Sequence, residues 1–167
     1  MRWDADQGGK DSVAYPALEL ACKGFEPLAV TDCLNFGNPE KVELMSEFVA
    51  SVEGMSACCE VLQIPIISGN VSFYNETQQK NVTSTPATGL VGLRKNVKGI
   101  PTSYFTETDQ EIYLLTLPVE SRVELSGHYQ EMKTGTPMWG RGDINLKAVK
   151  TMVRLLETLT QGEQVLA

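Results

Sequence analysis

Histidine and cysteine are scarce in this sequence, and positive charge is in deficit. His128 is the single histidine among 167 residues. It stands among Ser126, Gly127, Tyr129 and Gln130 with no acidic or cysteine partner at local spacing. It therefore reads as a solvated loop or helix histidine, since a catalytic base needs an orienting partner. The four cysteines, Cys22, Cys33, Cys58 and Cys59, show no C-x-x-C spacing. Cys58 and Cys59 point apart on a helical pattern, so neither a zinc knuckle nor a disulfide framework is supported, and reduced, buried thiols are the expectation. Lys and Arg number 14 against 21 Asp and Glu, for a net charge of -7. A nucleic-acid surface would need a basic face to release counterions, so no nucleic-acid partner is expected. No apolar run approaches the ~20 residues of a membrane span, and the first six residues lack the apolar stretch of a signal peptide. No membrane partner and a cytoplasmic location follow as expectations. In that setting the sequons at Asn70, Asn75 and Asn81 and the tripeptide Arg141-Gly142-Asp143 carry no extracellular meaning. The phosphate-binding P-loop, the G-x-G-x-x-G turn, the nucleophile elbow and the metalloprotease helix are all missing. Any nucleotide chemistry must use another fold.

What is present is an ordinary globular composition, 42% hydrophobic and 21% charged, enough for one core or one and a half small ones. After a polar, glycine-rich opening at Asp4 to Lys10, apolar residues Val13, Ala17, Leu20 and Ala21 predict a helix over 12–23, stopped by Gly24, with Pro16 tolerable only in its first turn. Pro27 to Thr31 is a short β-prone run that delivers Asp32 to the turn-rich Asn35-Phe36-Gly37-Asn38. Asn38 then caps a predicted helix over about 39–62, with Pro39 at its first position and an apolar stripe through Val42, Met45, Phe48, Val49, Val52, Met55, Cys59 and Leu62. Pro65 to Ser68 reads as a buried strand running into the polar stretch 69–76, and Thr85 to Leu93 as a further strand. Glu111 to Leu117 alternates like a strand, Gly135 to Gly142 reads as a loop, and 145–159 as a helix. A boundary near Val97 to Thr108 would divide the chain into a domain at 1–100 and the start of another at 101–167.

Two polar loops, Asp32 to Glu40 and Ser68 to Glu76, each follow an apolar strand. Ligand groups gather where the strands of an open α/β sheet end, so the two loops form one site if their strands lie side by side. Asp32 suits a nucleotide ribose or magnesium, Asn70 offers a hard oxygen to Mg²⁺, and Gly69 lets backbone approach a phosphate. The alternative is a pair of turns closed by the side-chain-to-backbone hydrogen bonds that Asn and Asp commonly make.

Residues 26–40, Glu-Pro-Leu-Ala-Val-Thr-Asp-Cys-Leu-Asn-Phe-Gly-Asn-Pro-Glu, closely resemble the signature of the synthetase component of the phosphoribosylformylglycinamidine synthase family. Residues 65–76, Pro-Ile-Ile-Ser-Gly-Asn-Val-Ser-Phe-Tyr-Asn-Glu, followed by Thr85-Pro86 and Gly89 to Leu93, resemble the next stretch of that family in the same order, with 38 positions from Asp32 to Asn70. The resemblance is strongest over 10–97. It implies a mixed α/β (α+β) fold: a small sheet flanked by helices, the A-type half-domain of the aminoimidazole ribonucleotide synthetase-like fold, followed by the start of a B-type α/β domain. In that superfamily the A sheets associate into a central barrel, by dimerisation or by internal duplication. The implied activity is ATP-dependent formation of an amidine from formylglycinamide ribonucleotide, in purine biosynthesis, with ammonia from glutamine.

Carried over residue by residue, Asp32 and Gly69 match ATP-binding positions, Asn70 a magnesium ligand and Ser72 a substrate contact. ATP and Mg²⁺ are the implied cofactors; formylglycinamide ribonucleotide, the rest of the synthetase chain and a glutaminase domain or subunit are the implied partners. No catalytic residue is assigned, because the family's catalytic histidine segment and glutamine-hydrolysing cysteine have no counterpart here, and this stretch alone is expected not to turn over. The sequence departs from the family at Tyr15 and Glu19, where many members carry a Glu and an Asn that in the large single-chain forms help hold magnesium at an auxiliary nucleotide site. Two readings stay open: these residues share in the ligase site, or this half binds nucleotide or merely scaffolds the barrel. Self-association through sheet edges or the 145–159 helix is also expected, since a partial core exposes apolar surface.

Overall fold

The computed structural model describes residues 4–105, 108–109, 111–116, 132–133, 135 and 144–162. The first helix, α1 (Ala5–Cys22), begins earlier than its periodicity predicts, with the Asp4 side chain accepting from the backbone N–H of Gln7. The glycines that read as loop lie inside it. They are there because the second helix, α2 (Val42–Leu62), passes backbone to backbone: a Cβ on Gly9 would sit 2.3 Å from the Ser51 carbonyl oxygen, and one on Gly54 would sit 2.1 Å from that of Asp6. Helix α2 starts later than expected. Its N-cap is Lys41, and Asn38 instead closes a tight turn by accepting from the Glu40 N–H at 2.9 Å.

The early start of α1 leaves Pro16 in the helix interior. A proline has no N–H for the carbonyl four residues back, so the Ser12 oxygen loses its helical partner. The Thr88 hydroxyl, reaching from the sheet, donates to that oxygen.

The sheet has three strands in the order β2-β1-β5. Strand β1 (Glu26–Asn35) lies in the middle, parallel to β2 (Ile66–Ser72) and antiparallel to β5 (Thr85–Leu93), while β3 (Glu76–Thr77) and β4 (Lys80–Asn81) form a small hairpin between them. Helices cover one face. Val30 and Leu34 of β1 are buried under them in one cluster with Val13, Ala14, Ala17, Met55 and Cys58. The other face is open, and β5 alternates along its length: Val91 and Leu93 are 50% and 54% exposed, and Leu28 is 43% exposed in the bulge between their register partners. Strand β2, read as buried, is an edge strand exposed over nearly its whole length. Of the four thiols only Cys58 and Cys59 are buried, whereas Cys22 is exposed and Cys33 half-buried.

The third helix, α3 (Leu146–Gln161), is capped by Asn145 and buries Val149 and Val153 in the same cluster as α1 and α2. Val149 and Val153 are thus used within the chain, while Leu155 of the same helix stays exposed. Arg94 ties it down, donating to the carbonyls of Lys23 at 2.9 Å at the end of α1, Gly99 at 3.1 Å and Thr160 at 3.3 Å near the end of α3. A guanidinium at two helix C-termini also opposes the negative ends of their dipoles. Glu111 to Thr116, expected as strand, has no regular structure, and Leu114 is 90% exposed. Alternation makes a strand only where a neighbouring strand pairs with it, and no ladder among the described residues includes this segment. Leu117 and His128 lie outside the described residues, as does all of the Gly135 to Gly142 loop except Gly135. Among the described residues no helix is long and apolar enough to cross a membrane.

Replacing Thr88 by Val should cost about 1–3 kcal/mol, because it leaves the Ser12 carbonyl without a donor. In a Pro16→Ala background the helix supplies its own N–H and that cost should shrink, as read by urea denaturation midpoints. An equal cost in both backgrounds would refute the pairing.

Candidate functional site

Because β1 and β2 are parallel neighbours, the two loops leave the sheet at the same end, but they begin later than the sequence suggests: β1 runs on to Asn35 and β2 to Ser72, so Asp32, Gly69, Asn70 and Ser72 are strand residues. In the register Asp32 lies between Gly69 of β2 and Thr88 of β5. It shares the helix-covered face with Val30 and Leu34, since side chains alternate along a strand. Its Oδ1 occupies the space beside Gly69: a Cβ there would meet it at 2.1 Å. Glycine at 69 thus leaves the carboxylate of its neighbour in place, and a side chain there would push that carboxylate aside. Partial burial raises the Asp32 carboxyl above its ordinary pKa. The Cys59 thiol on α2 is also raised, by its burial first and by the Asp32 carboxylate second.

Asn70 pairs with Cys33 and is exposed on the opposite, open face. The structure thus joins Asp32 to Gly69 and separates the side chains of Asp32 and Asn70. No group of three or more His, Cys, Asp or Glu that could hold a metal ion occurs among the described residues. The donor set of Asn70 is neutral oxygen, which fits Mg²⁺ only if ligand phosphates or carboxylates from another part of the protein supply the charge. Tyr15, 62% exposed, and Glu19 lie together on the exposed side of α1.

Ser72 stands at the end of β2 opposite Asn35. From here the two loops are laced together by backbone and amide groups. Phe36 N–H donates to the Ser72 carbonyl at 2.9 Å, and Tyr74 N–H to the Gly37 carbonyl at 2.9 Å. Tyr74 takes a left-handed conformation (φ 58°), uncommon for a bulky side chain, and this turns the chain back on itself. Asn75 donates through Nδ2 to the Phe36 and Ser72 carbonyls, both at 2.9 Å. Asn81 Oδ1 accepts from the Asn38 N–H at 2.9 Å. Beneath the loops Phe48 stacks edge-on against Phe36 and Phe73, with ring centroids 5.2 and 5.1 Å apart. Asn75, Asn81 and Thr88 escaped the reading of the sequence. Asn81 was visible only in a sequon and Asn75 only in a sequon and in the run 65–76 with no role given to it, although asparagine's habit of bonding nearby backbone is the signal that points to them.

Residues 1–93 match the family model of the AIR synthase related protein, N-terminal domain. The chain belongs to this family. Among solved structures, the AIR synthase related fold of this chain is similar to PurL of Thermotoga maritima complexed with AMPPCP, at 32% identity and a TM-score of 0.50, over 53% of this chain and 15% of that one. It is similar also to PurLQS from Thermotoga maritima, at 28% identity and a TM-score of 0.51, over 59% of this chain and 17% of that one. A phosphoribosylformylglycinamidine synthase II of Thermotoga maritima matches at 31% identity and a TM-score of 0.46, over 52% of this chain and 14% of its own. The chain therefore spans only a small part of the solved proteins it matches. The mixed α/β architecture, a small sheet with helices on one face, agrees with the family.

For Asp32 the sign of the pH effect is set by its raised pKa. Protonation favours the folded state, so the stabilisation is present below the ordinary carboxylate pKa and is lost as pH rises through the folded value. Asp32→Asn keeps the shape beside Gly69 and removes the charge. It should melt no lower than the unsubstituted chain at pH 7, with a flatter dependence on pH between 3 and 6, by thermal denaturation followed by circular dichroism; a clear loss of stability at pH 7 would contradict this.

Proposed function

We propose that the chain forms part of the ATP and substrate site of a phosphoribosylformylglycinamidine synthase, the ATP-dependent ligase of purine biosynthesis, acting in the cytoplasm with glutamine as the source of ammonia. The observation that carries this is the pairing of the two segments: 26–40 and 65–76, which resemble that family, run as adjacent parallel strands that set Asp32 beside Gly69, with Ser72 three residues further on at the end of β2. The solved PurL carrying AMPPCP supports the nucleotide.

In this reaction the glycinamide carbonyl oxygen of formylglycinamide ribonucleotide takes the γ-phosphoryl group of ATP, leaving ADP. Ammonia then adds at the activated carbon, and phosphate departs with that oxygen. This chain's residues bind and orient. Asp32 takes a nucleotide hydroxyl, Gly69 keeps the approach clear, and Ser72 contacts the substrate. Positioning of this kind supplies much of the catalysis in phosphoryl transfer. Asn70 would hold Mg²⁺, which neutralises charge on the phosphates when bound. The ammonia-producing step lies in a glutaminase domain or subunit, so the chain alone does not turn over. In this reading residues 1–100 are the A-type half-domain and 101–167 open a B-type domain.

The separation of Asp32 from Asn70 and the exposed Tyr15 and Glu19 favour a second reading, in which this half scaffolds the barrel and the chemistry belongs to the other half. Calorimetric titration with ATP and ADP, with and without Mg²⁺, decides between them. Magnesium-dependent binding that weakens at least tenfold in Asn70→Ala is the expected result, and no binding would favour the scaffold.

The open sheet face gives the association a location. A Val91→Lys, Leu93→Lys double variant should convert a self-associated chain to monomer by light scattering, while a monomeric unsubstituted chain would count against the barrel contact.

A further inference from the structure

Asn75 stands three residues beyond Ser72, and its hydrogen bonds determine what the serine hydroxyl has left to offer. One end of the Asn75 amide lies 2.9 Å from the Phe36 carbonyl and 2.9 Å from the Ser72 carbonyl. Carbonyl oxygens only accept, so that end must be the Nδ2 donor. The Oδ1 end then faces the Ser72 hydroxyl at 3.1 Å. An amide oxygen carries no proton, and the serine must donate to it. The backbone holds the same arrangement: Asn75 N–H bonds the Phe36 carbonyl at 3.3 Å, its own carbonyl takes the Val82 N–H at 3.0 Å, and Tyr74 keeps its left-handed turn.

Resting on the functional reading above, we infer that Asn75 is a positioning residue that consumes the Ser72 proton, so that Ser72 meets its ligand as a hydrogen-bond acceptor. A hydroxyl has one proton and two lone pairs, and with the proton spent, only lone pairs remain. The ligand group that Ser72 takes is therefore a donor, a ribose hydroxyl or an amide N–H, and not a phosphate oxygen. Formylglycinamide ribonucleotide carries all three kinds of group, so the assignment selects which part of it lies over β2.

The test is calorimetry with formylglycinamide ribonucleotide and with its dephosphorylated ribonucleoside, on the unsubstituted chain, Ser72→Ala, Asn75→Ala and the double variant. Ser72→Ala should weaken both ligands by the same factor, roughly five- to tenfold, the value of one hydrogen bond. Asn75→Ala should lose a similar factor and the double variant little more, a non-additivity that a purely structural role would not produce. A Ser72→Ala loss confined to the ribonucleotide would show a phosphate contact and overturn the inference. Should Asn75→Ala fail to fold by circular dichroism, the Ser72→Ala comparison still decides the polarity. Binding to the unsubstituted chain that Ser72→Ala leaves unchanged for both ligands overturns this inference alone, whereas binding of neither overturns the functional reading and this inference with it.

Discussion

The contact of α1 with α2 at Gly9 and Gly54 is the constraint on which the other features rest. With no side chain on either glycine, the two backbones meet, and the helix layer comes down as one unit on the sheet. Small residues at a helix crossing lower the interaxial distance, since that distance depends on the side chains at the contact. From this position α1 presents the Ser12 carbonyl, freed by Pro16, to Thr88 on β5. A defect in the helix thereby becomes a hydrogen bond between layers. It also fixes the height of α2 above β1, so that the Cys59 thiol and the Asp32 carboxylate share one partly desolvated space.

Two sides of the sheet divide the candidate groups between them. Asp32 and Gly69 belong to the side under the helices, three residues before β1 and β2 end; Asn70 and Ser72 belong to the open side. A ligand that uses both sets must reach around the ends of the strands. The loops at this edge are held by amide-to-backbone bonds from Asn75 and Asn81 and by three stacked phenylalanines, so the edge is a preorganised surface and ligand binding need not order it first.

Long elements with strong periodicity were legible in the residues. Helix α2 over most of its length, α3 and β5 all stand where their patterns place them. The misreadings share a cause, in that each depends on what lies opposite the segment in space. Gly8 and Gly9 resemble loop because glycine is a poor helix former, yet packing on α2 outweighs that preference. Ile66 and Ile67 resemble buried strand, yet β2 is at the edge of a sheet of three. Glu111 to Thr116 has the alternation of a strand and no partner in the ladders described.

By itself the sequence determined the kind of protein: an acidic mixed α/β chain of the AIR synthase related family, with two apolar runs that each lead into a polar stretch, although Asp32, Gly69, Asn70 and Ser72, read as loop, lie within the strands. Those properties are local, carried by runs of residues and their spacing. Only the tertiary structure decided that Asp32 lies against Gly69, that Asn70 faces the other way, and that Asn75 fixes the Ser72 hydroxyl. The first two follow from strand register, in which a shift of one residue moves a side chain to the opposite face, and the third from the distant Phe36 carbonyl that orients the Asn75 amide; both depend on contacts between segments far apart in the chain.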